Sequence, residues 1–282
     1  MRMSNTMITT WMDCPLQARF KYVDRLPTKK TSRMTFGICV HAALEHYNTN
    51  GNLAKAINLF LDLWDNPEKV NAVPEIWPKG TTHGGFRSKG IELLETYHEK
   101  QGWESRTILA QEHKFLVPIG EHELQGYVDL IEVKKSGRGK PTVRIVDYKT
   151  GSKQPYKNTL RLNTQFTIYD YASRQPEFWL GNGPDFPPIA PNADELWDTY
   201  KDTPRRAIYF HLMGCKEIDA GERDEADFMR LYRVITEIAR AAEHEVYVPC
   251  LSADSCVFCD FTGPCGVKIP EREYSDNDEN WF

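Results

Sequence analysis

The sequence predicts an α/β fold in which helices flank a mixed β-sheet. Segments 106–118, 122–133 and 142–148 alternate apolar and polar residues with period two, the mark of half-buried strands. Helical periodicity brackets them on both sides, and another strand segment, 207–213, follows a return to helix. Adjacent strands grouped between helices fit a mixed sheet rather than a doubly wound one. Composition agrees: 40% hydrophobic and 27% charged residues over 282 positions exclude disordered, collagen-like and coiled-coil chains.

Each element follows from local signals. Residues 4–26 read as a short helix interrupted near Pro15, then a further helical turn, with Ser4, Asn5 and Thr6 as starters. Residues 35–49 place Phe36, Val40, Leu44 and Tyr47 at helical spacing. Residues 53–65 and 86–101 give two more amphipathic helices, separated by a loop marked by Pro74, Pro78 and the Gly80–Gly85 stretch. The segment Ser136–Gly139 supplies the turn before the third strand, and 159–174 returns to helix. Residues 176–204 hold Pro176, Pro184, Pro187, Pro188, Pro191 and Pro204, and read as a loop or an insertion with at most one helical turn. Residues 222–245 form a charged helix with Phe228, Leu231, Ile235 and Ile238 inward. The expected organisation is one domain, 1–282. It comprises a helical N-terminal region (1–105), a core (106–213), a closing helix and cysteine segment (214–270), and an acidic tail (271–282).

No apolar run approaches the ~20 residues of a membrane helix. The start, MRMSNTMITTWMDCP, has neither the apolar core nor the cleavage site of a secretion signal. These features predict a cytoplasmic chain with no membrane partner. Its seven cysteines are then reduced, as ligands or core residues. The net charge is −5, yet residues 134–161 carry nine Lys/Arg against the single acid Asp147, and residues 1–40 carry seven against two. A focused basic surface can bind phosphates despite an acidic total. Lys134, Lys135, Arg138 and Lys140 fit a solubilised hairpin turn equally well.

Asp129, in Gly126-Tyr127-Val128-Asp129, and Asp147, in Asp147-Tyr148-Lys149-Thr150-Gly151, each follow apolar strand residues. A charge there is costly unless it is paired or binds a metal. Strand geometry puts Asp147 and Lys149 on one face, and antiparallel pairing would bring Asp129 near Asp147. Two carboxylates and a backbone carbonyl make a hard oxygen site suited to Mg²⁺ or Mn²⁺. Phosphodiester hydrolysis uses such a site, with Lys149 beside the scissile phosphate as electrostatic stabiliser or proton acceptor. Taken alone, D-x-K fits a surface pair on an edge strand as well. His41 lies on an upstream helix with Glu45 one turn further on the same face, and its imidazole could complete the ligand set. Gln165 and Tyr169 are an i, i+4 pair on the helix after the Asp–Lys strand, placed to bond DNA, orient the strand or pack. Cys256-x2-Cys259-x5-Cys265 is a metal-site signal whose fourth ligand is Cys250 or Cys14. Cys39 and Cys215, in apolar surroundings, read as buried thiols.

In order, the chain has His41-Ala42-Ala43-Leu44-Glu45, Gly126-x-x-Asp129, Asp147-Tyr148-Lys149-Thr150-Gly151 and Gln165-x-x-x-Tyr169. This series resembles the PD-(D/E)XK nuclease superfamily, in its RecB-like branch, over about residues 4–265. The resemblance implies a restriction-endonuclease-like core and metal ligation by His41, Asp129, Asp147 and the carbonyl of Tyr148. Lys149 would be catalytic together with the two aspartates, Gln165, Tyr169 and Glu45 would bind or orient substrate, and Glu112 would lie at the periphery. Members with an iron–sulfur cluster, among them CRISPR-associated exonucleases and the AddB nuclease domain, join one N-terminal cysteine to a C-terminal C-x2-C-x5-C. By that likeness Cys14, Cys256, Cys259 and Cys265 hold a [4Fe–4S] cluster that staples the two ends. The alternative is Zn²⁺, whose structural sites favour paired C-x2-C knuckles.

The function so implied is a metal-dependent DNA exonuclease acting on single strands or duplex ends in recombination, repair or end processing. No G-x-x-x-x-G-K-[ST] motor motif is present, so unwinding comes from a partner, a recombinase, helicase or other DNA-processing protein, or is unnecessary. Competing readings are a non-cutting module that holds DNA ends, an endonuclease, and a zinc-stabilised interaction protein with an incidental Asp–Lys pair.

Overall fold

The structure is a computed structural model that describes residues 1–101, 106–135, 140–257 and 259–268. It begins with a short strand, β1 (Arg2–Ser4), which runs into α1 (Asn5–Asp13). Ser4 caps α1 by accepting from the Met7 amide, and Cys14 caps α2 (Pro15–Ala18) by accepting from the Gln17 amide. The interruption near Pro15 is therefore a double cap, and a π-helical turn, Arg19–Val23, completes the segment. Three helices follow: α3 (Ser32–Asn50), α4 (Leu53–Asp65) and α5 (His83–Gln101). Thr31 starts α3, and Gly51 ends it in the left-handed conformation.

The strands β2 (Thr107–Ile119), β3 (His122–Lys135) and β4 (Pro141–Lys149) form an antiparallel meander. The turn expected at Ser136–Gly139 lies outside the described residues. A helical crossover leads from β4 to β5 (Arg205–His211), which pairs parallel to it, and β6 (Lys216–Asp219) pairs antiparallel to β5. The sheet is mixed, as the strand grouping predicts, in the order β1-β3-β4-β5-β6 with β2 on β3. The sequence reading misses β1 and β6, which are too short to show a period.

Strand β3 sets up the site. Its one edge pairs β2 over residues 122–128 and 130–133, while its other edge is shared. Residues 123–125 pair with β1 in parallel and residues 130–135 with β4. Between them, residues 126–129 have no strand partner on that edge.

The two faces of the sheet carry separate apolar clusters. On one, Val143 and Ile145 of β4 pack with Phe115, Val117, Leu124 and Val128 against the helical crossover and against α10 (Glu225–Glu243). On the other, Val146 and Tyr148 pack with Phe36, Val40, Leu44 and Tyr47 of α3. This alternation along β4 is the period-two pattern realised. Helix α10 has the capping box Asp224/Asp227, and Leu231, Ile235 and Ile238 point inward. Phe228 is half-buried at its edge, against Tyr171.

Two sequence expectations fail in the crossover. The helix expected over 159–174 is two, α6 (Lys157–Arg161) and α7 (Thr164–Ser173), because the Asn163 side chain accepts from the Gln165 and Phe166 amides and starts a new helix. The stretch 176–204 holds α8 (Pro176–Leu180) and α9 (Ala193–Tyr200) rather than at most one turn. Pro176 sits at a first helical position, where its missing N–H costs nothing. Phe178 and Trp179 are fully buried, so the segment contributes side chains to the core. Among the described residues no helix is long and apolar enough to cross a membrane.

Candidate functional site

The open edge of β3 is where the sequence-predicted residues meet. Asp129 stands at its end, one residue before pairing with β4 begins. Its Oδ2 accepts from the Tyr148 amide at 2.6 Å. Asp147, on the opposite face of β4 from Tyr148, is 3% exposed. Its carboxylate lies 2.8 Å from Lys149 Nζ and accepts from Gln165 Nε2 at 2.9 Å. Lys149 also donates to Gln165 Oε1 at 3.2 Å.

His41 enters from α3. Its Nε2 lies 3.1 Å from the Tyr148 carbonyl oxygen, and its Nδ1 lies 3.5 Å from Asp129 Oδ1 and 4.0 Å from Glu112 Oε1. The ligand atoms of His41, Glu112 and Asp129 all fall within 4.8 Å of one another, the one such group among the described residues. Glu112 thus lies at the centre of the site, not at the periphery that the sequence reading assigns it. It lies between the β2–β3 pairs Gln111/Leu130 and His113/Val128, itself unpaired, and has φ +45°, a left-handed backbone rare for Glu. A sequence signal for this is absent, because strand alternation assumes extended backbone.

Burial and mutual repulsion act on the acids of the site. Burial, followed by repulsion from Asp129, pushes the Glu112 carboxyl up to about 7. Burial pushes the Asp147 carboxyl up to about 6 against the pull of Lys149. Burial opposes a charge on His41, but the hydrogen bond and charge of Asp129 raise its basicity overall. Burial likewise opposes the Lys149 charge, and Asp147 outweighs it, so the ammonium form is favoured. Crowded carboxylates, an imidazole and a backbone carbonyl are donors that suit a hard divalent ion.

Gln165 and Tyr169 hold this arrangement. Gln165 Nε2 also donates to the Tyr169 hydroxyl at 2.8 Å, and that hydroxyl donates to the Tyr127 carbonyl at 2.7 Å. Tyr169 therefore satisfies backbone that β3 leaves unpaired at its open edge. Glu45 is exposed one turn along α3 from His41, near enough to Glu112 to raise its pKa. Behind the site, the Tyr148 hydroxyl bonds Tyr97 at 2.7 Å and accepts from Asn48 at 3.2 Å, which fixes the peptide that faces His41.

Five of the cysteines gather where the N-terminal and C-terminal segments meet. Cys14, Cys250, Cys256, Cys259 and Cys265 line one pocket of ≈ 400 Å³, open mouth included, together with Leu16, Phe20, Pro249, Phe261 and Val267. The Cys250 amide donates to Cys14 Sγ at 3.3 Å, and the Phe261 amide to Cys259 Sγ at 3.4 Å. Both sequence candidates for the fourth thiol, Cys14 and Cys250, are thus present. All seven cysteines are free; Cys39 is buried and Cys215 half-buried.

A likeness at the level of fold accompanies this geometry. The crystal structure of a "Putative exonuclease" from Eubacterium rectale aligns over 99% of this chain and 92% of its own, with 11% identity and a TM-score of 0.51. The solved structure of SSO0001 aligns over 95% of this chain and 87% of its own, with 12% identity and a TM-score of 0.38, too low to carry an argument. No curated protein sequence matches the chain. The sequence family described as the PD-(D/E)XK nuclease superfamily matches residues 2–266, and the chain belongs to that superfamily.

Proposed function

We infer that the protein is a divalent-metal-dependent DNA exonuclease that hydrolyses phosphodiester bonds at ends or in single strands. The observation that carries this reading is the convergence of His41, Asp129, Asp147 and Lys149 around the Tyr148 peptide at the open edge of β3. The reading takes His41, Asp129, Asp147 and the Tyr148 carbonyl as the residues that hold Mg²⁺ or Mn²⁺, with Glu112 beside them. A divalent ion there supplies charge withdrawal from the phosphoryl oxygens and acidifies water.

The chain's own groups do the remaining work. Lys149, favoured as an ammonium, is a hydrogen-bond donor to the scissile phosphate rather than a base. Gln165 holds both Lys149 and Asp147, so the donor and the carboxylate keep their spacing. Tyr169 ties the helix that carries Gln165 to β3. The description of the Eubacterium rectale fold neighbour supports action on ends. Recombination, repair or end processing is the setting such an activity fits, in a reducing cytoplasm that keeps the thiols free. A helicase, recombinase or other DNA-processing protein is the partner expected. The reading takes the whole chain as one nuclease domain, supported by a sheet that carries both apolar clusters.

The cysteine pocket is read as a [4Fe–4S] site held by Cys14, Cys256, Cys259 and Cys265. Its support is the gathering of Cys14, Cys256, Cys259 and Cys265 around one pocket, which both a [4Fe–4S] cluster and a zinc ion could use.

The test is digestion of 5′- and 3′-labelled single- and double-stranded oligonucleotides with Mg²⁺ or Mn²⁺, wild type against Asp147→Ala. Stepwise loss of nucleotides from one end by wild type alone is expected. Binding without cutting under every divalent ion would replace the reading with an end-holding module, and cutting of closed single-stranded circles with an endonuclease.

A further inference from the structure

Beside the carboxylates, the β2–β3 ribbon carries an exposed aromatic with no role so far. Tyr127 is 56% exposed, although it lies in the middle of a central strand. It is two residues from Asp129 on β3. Directly opposite in register on β2 stands Lys114, two residues from Glu112. Lys114 Nζ lies 5.8 Å from the centre of the Tyr127 ring and 4.7 Å from that of Phe186. The Arg2 guanidinium covers Phe186 at 5.4 Å and pairs with Glu123 at 3.3 Å. Along β3 the ribbon passes from Asp129, which faces Glu112 closely enough to raise its pKa, to Tyr127, paired with Lys114, in about 7 Å of strand rise. That step is of the order of one nucleotide in an extended single strand. The Tyr127 backbone is itself tied to the site, because its carbonyl accepts from Tyr169.

We propose that Tyr127 is a stacking platform for the base next to the scissile phosphate, with Lys114 on that nucleotide's phosphate, so that the site selects single-stranded DNA. The proposal rests on the nuclease reading and adds its substrate class. A base in a duplex is covered by its neighbours and cannot lie flat on a tyrosine ring, whereas a single strand offers each base's face. The occupant follows from charge complementarity and from continuity: an aromatic ring and an ammonium match a base and a phosphate, and both adjoin the carboxylate cluster.

The experiment measures binding of a 12-nucleotide single strand containing 2-aminopurine, and of its duplex, by the full-length protein in Ca²⁺. Mn²⁺-dependent cleavage is followed in parallel. Tyr127→Ala is expected to weaken single-strand binding about 5- to 150-fold, the span of one lost stacked base. It should also abolish the 2-aminopurine quench at one position and change duplex binding less than twofold. Tyr127→Phe should bind like wild type, and Tyr127→Leu, which keeps the bulk, like Tyr127→Ala. Lys114→Met should lower the slope of log K against log salt by about 0.7. Unchanged binding and quenching in Tyr127→Ala, or equal losses on single strand and duplex, would overturn the proposal. Absence of cleavage by wild type, with the Tyr127-dependent quench intact, would instead sink the nuclease reading and leave the stacking site standing.

Discussion

The Tyr148 amide donates to Asp129 at 2.6 Å where β3 and β4 separate, so one peptide couples both acidic strands. The next peptide along, between Tyr148 and Lys149, presents the Tyr148 carbonyl to His41 at 3.1 Å. Its orientation is set from behind, where the buried phenol meets Tyr97 and Asn48. Arg106 extends that buried set by donating to Asn48 at 3.1 Å and to Glu132 at 2.9 Å.

Tyr148→Phe removes the anchor while keeping the packing. It takes one hydrogen bond each from Tyr97 and Asn48, which keep their bonds to each other and to Arg106, and stability should fall by about 1–3 kcal/mol. Urea denaturation measures this. A change below a few tenths of a kcal/mol would show that the phenol does not hold the peptide.

Lys149→Ala should lower the cleavage rate by about 10²–10³-fold, the usual cost of one preorganised donor to a developing oxyanion. Mn²⁺ affinity by calorimetry should not fall, because a cation is removed from beside the carboxylates. A loss of metal binding would assign Lys149 a structural role instead.

Much of this site is legible in the sequence, for a physical reason. Asp129 and Asp147 stand out because a charge after apolar strand residues demands a partner, and His41 and Gln165 lie on helices whose period fixes their faces. Glu112 is the counterexample. Its place depends on φ +45°, which no period reveals, and it joins His41 and Asp129 more closely than Asp147 does. Strands β1 and β6 are set by pairing partners distant in sequence, not by their own few residues. Prolines mislead at 176–204, since Pro176 opens a helix and the core takes up Phe178 and Trp179.

The metal-free protein should lose stability as pH rises from about 4 to about 7. Folding raises the Asp147 carboxyl to about 6 and that of Glu112 to about 7. Across that window the folded chain then holds more protons than the unfolded chain, which favours the folded form at the acidic end. Saturating Mn²⁺ should reverse the slope, because it binds the deprotonated site. Thermal unfolding against pH, in chelator and in Mn²⁺, reads both signs. A chelator curve that rises with pH would contradict the crowding of acids in the site.

Cys14→Ser and Cys256→Ser should each bleach the absorbance near 400 nm of anaerobically purified protein and lower its thermal stability. Cys39→Ser lies in the other apolar cluster and should keep the colour. A colourless wild type with one zinc per chain would assign the pocket to zinc.

The most direct test of the central claim is anomalous diffraction from crystals soaked in Mn²⁺. A manganese peak within coordination distance of His41, Asp129, Asp147 and the Tyr148 carbonyl is the result the account requires. Manganese bound elsewhere, with these four groups still bonded only to one another, would contradict it.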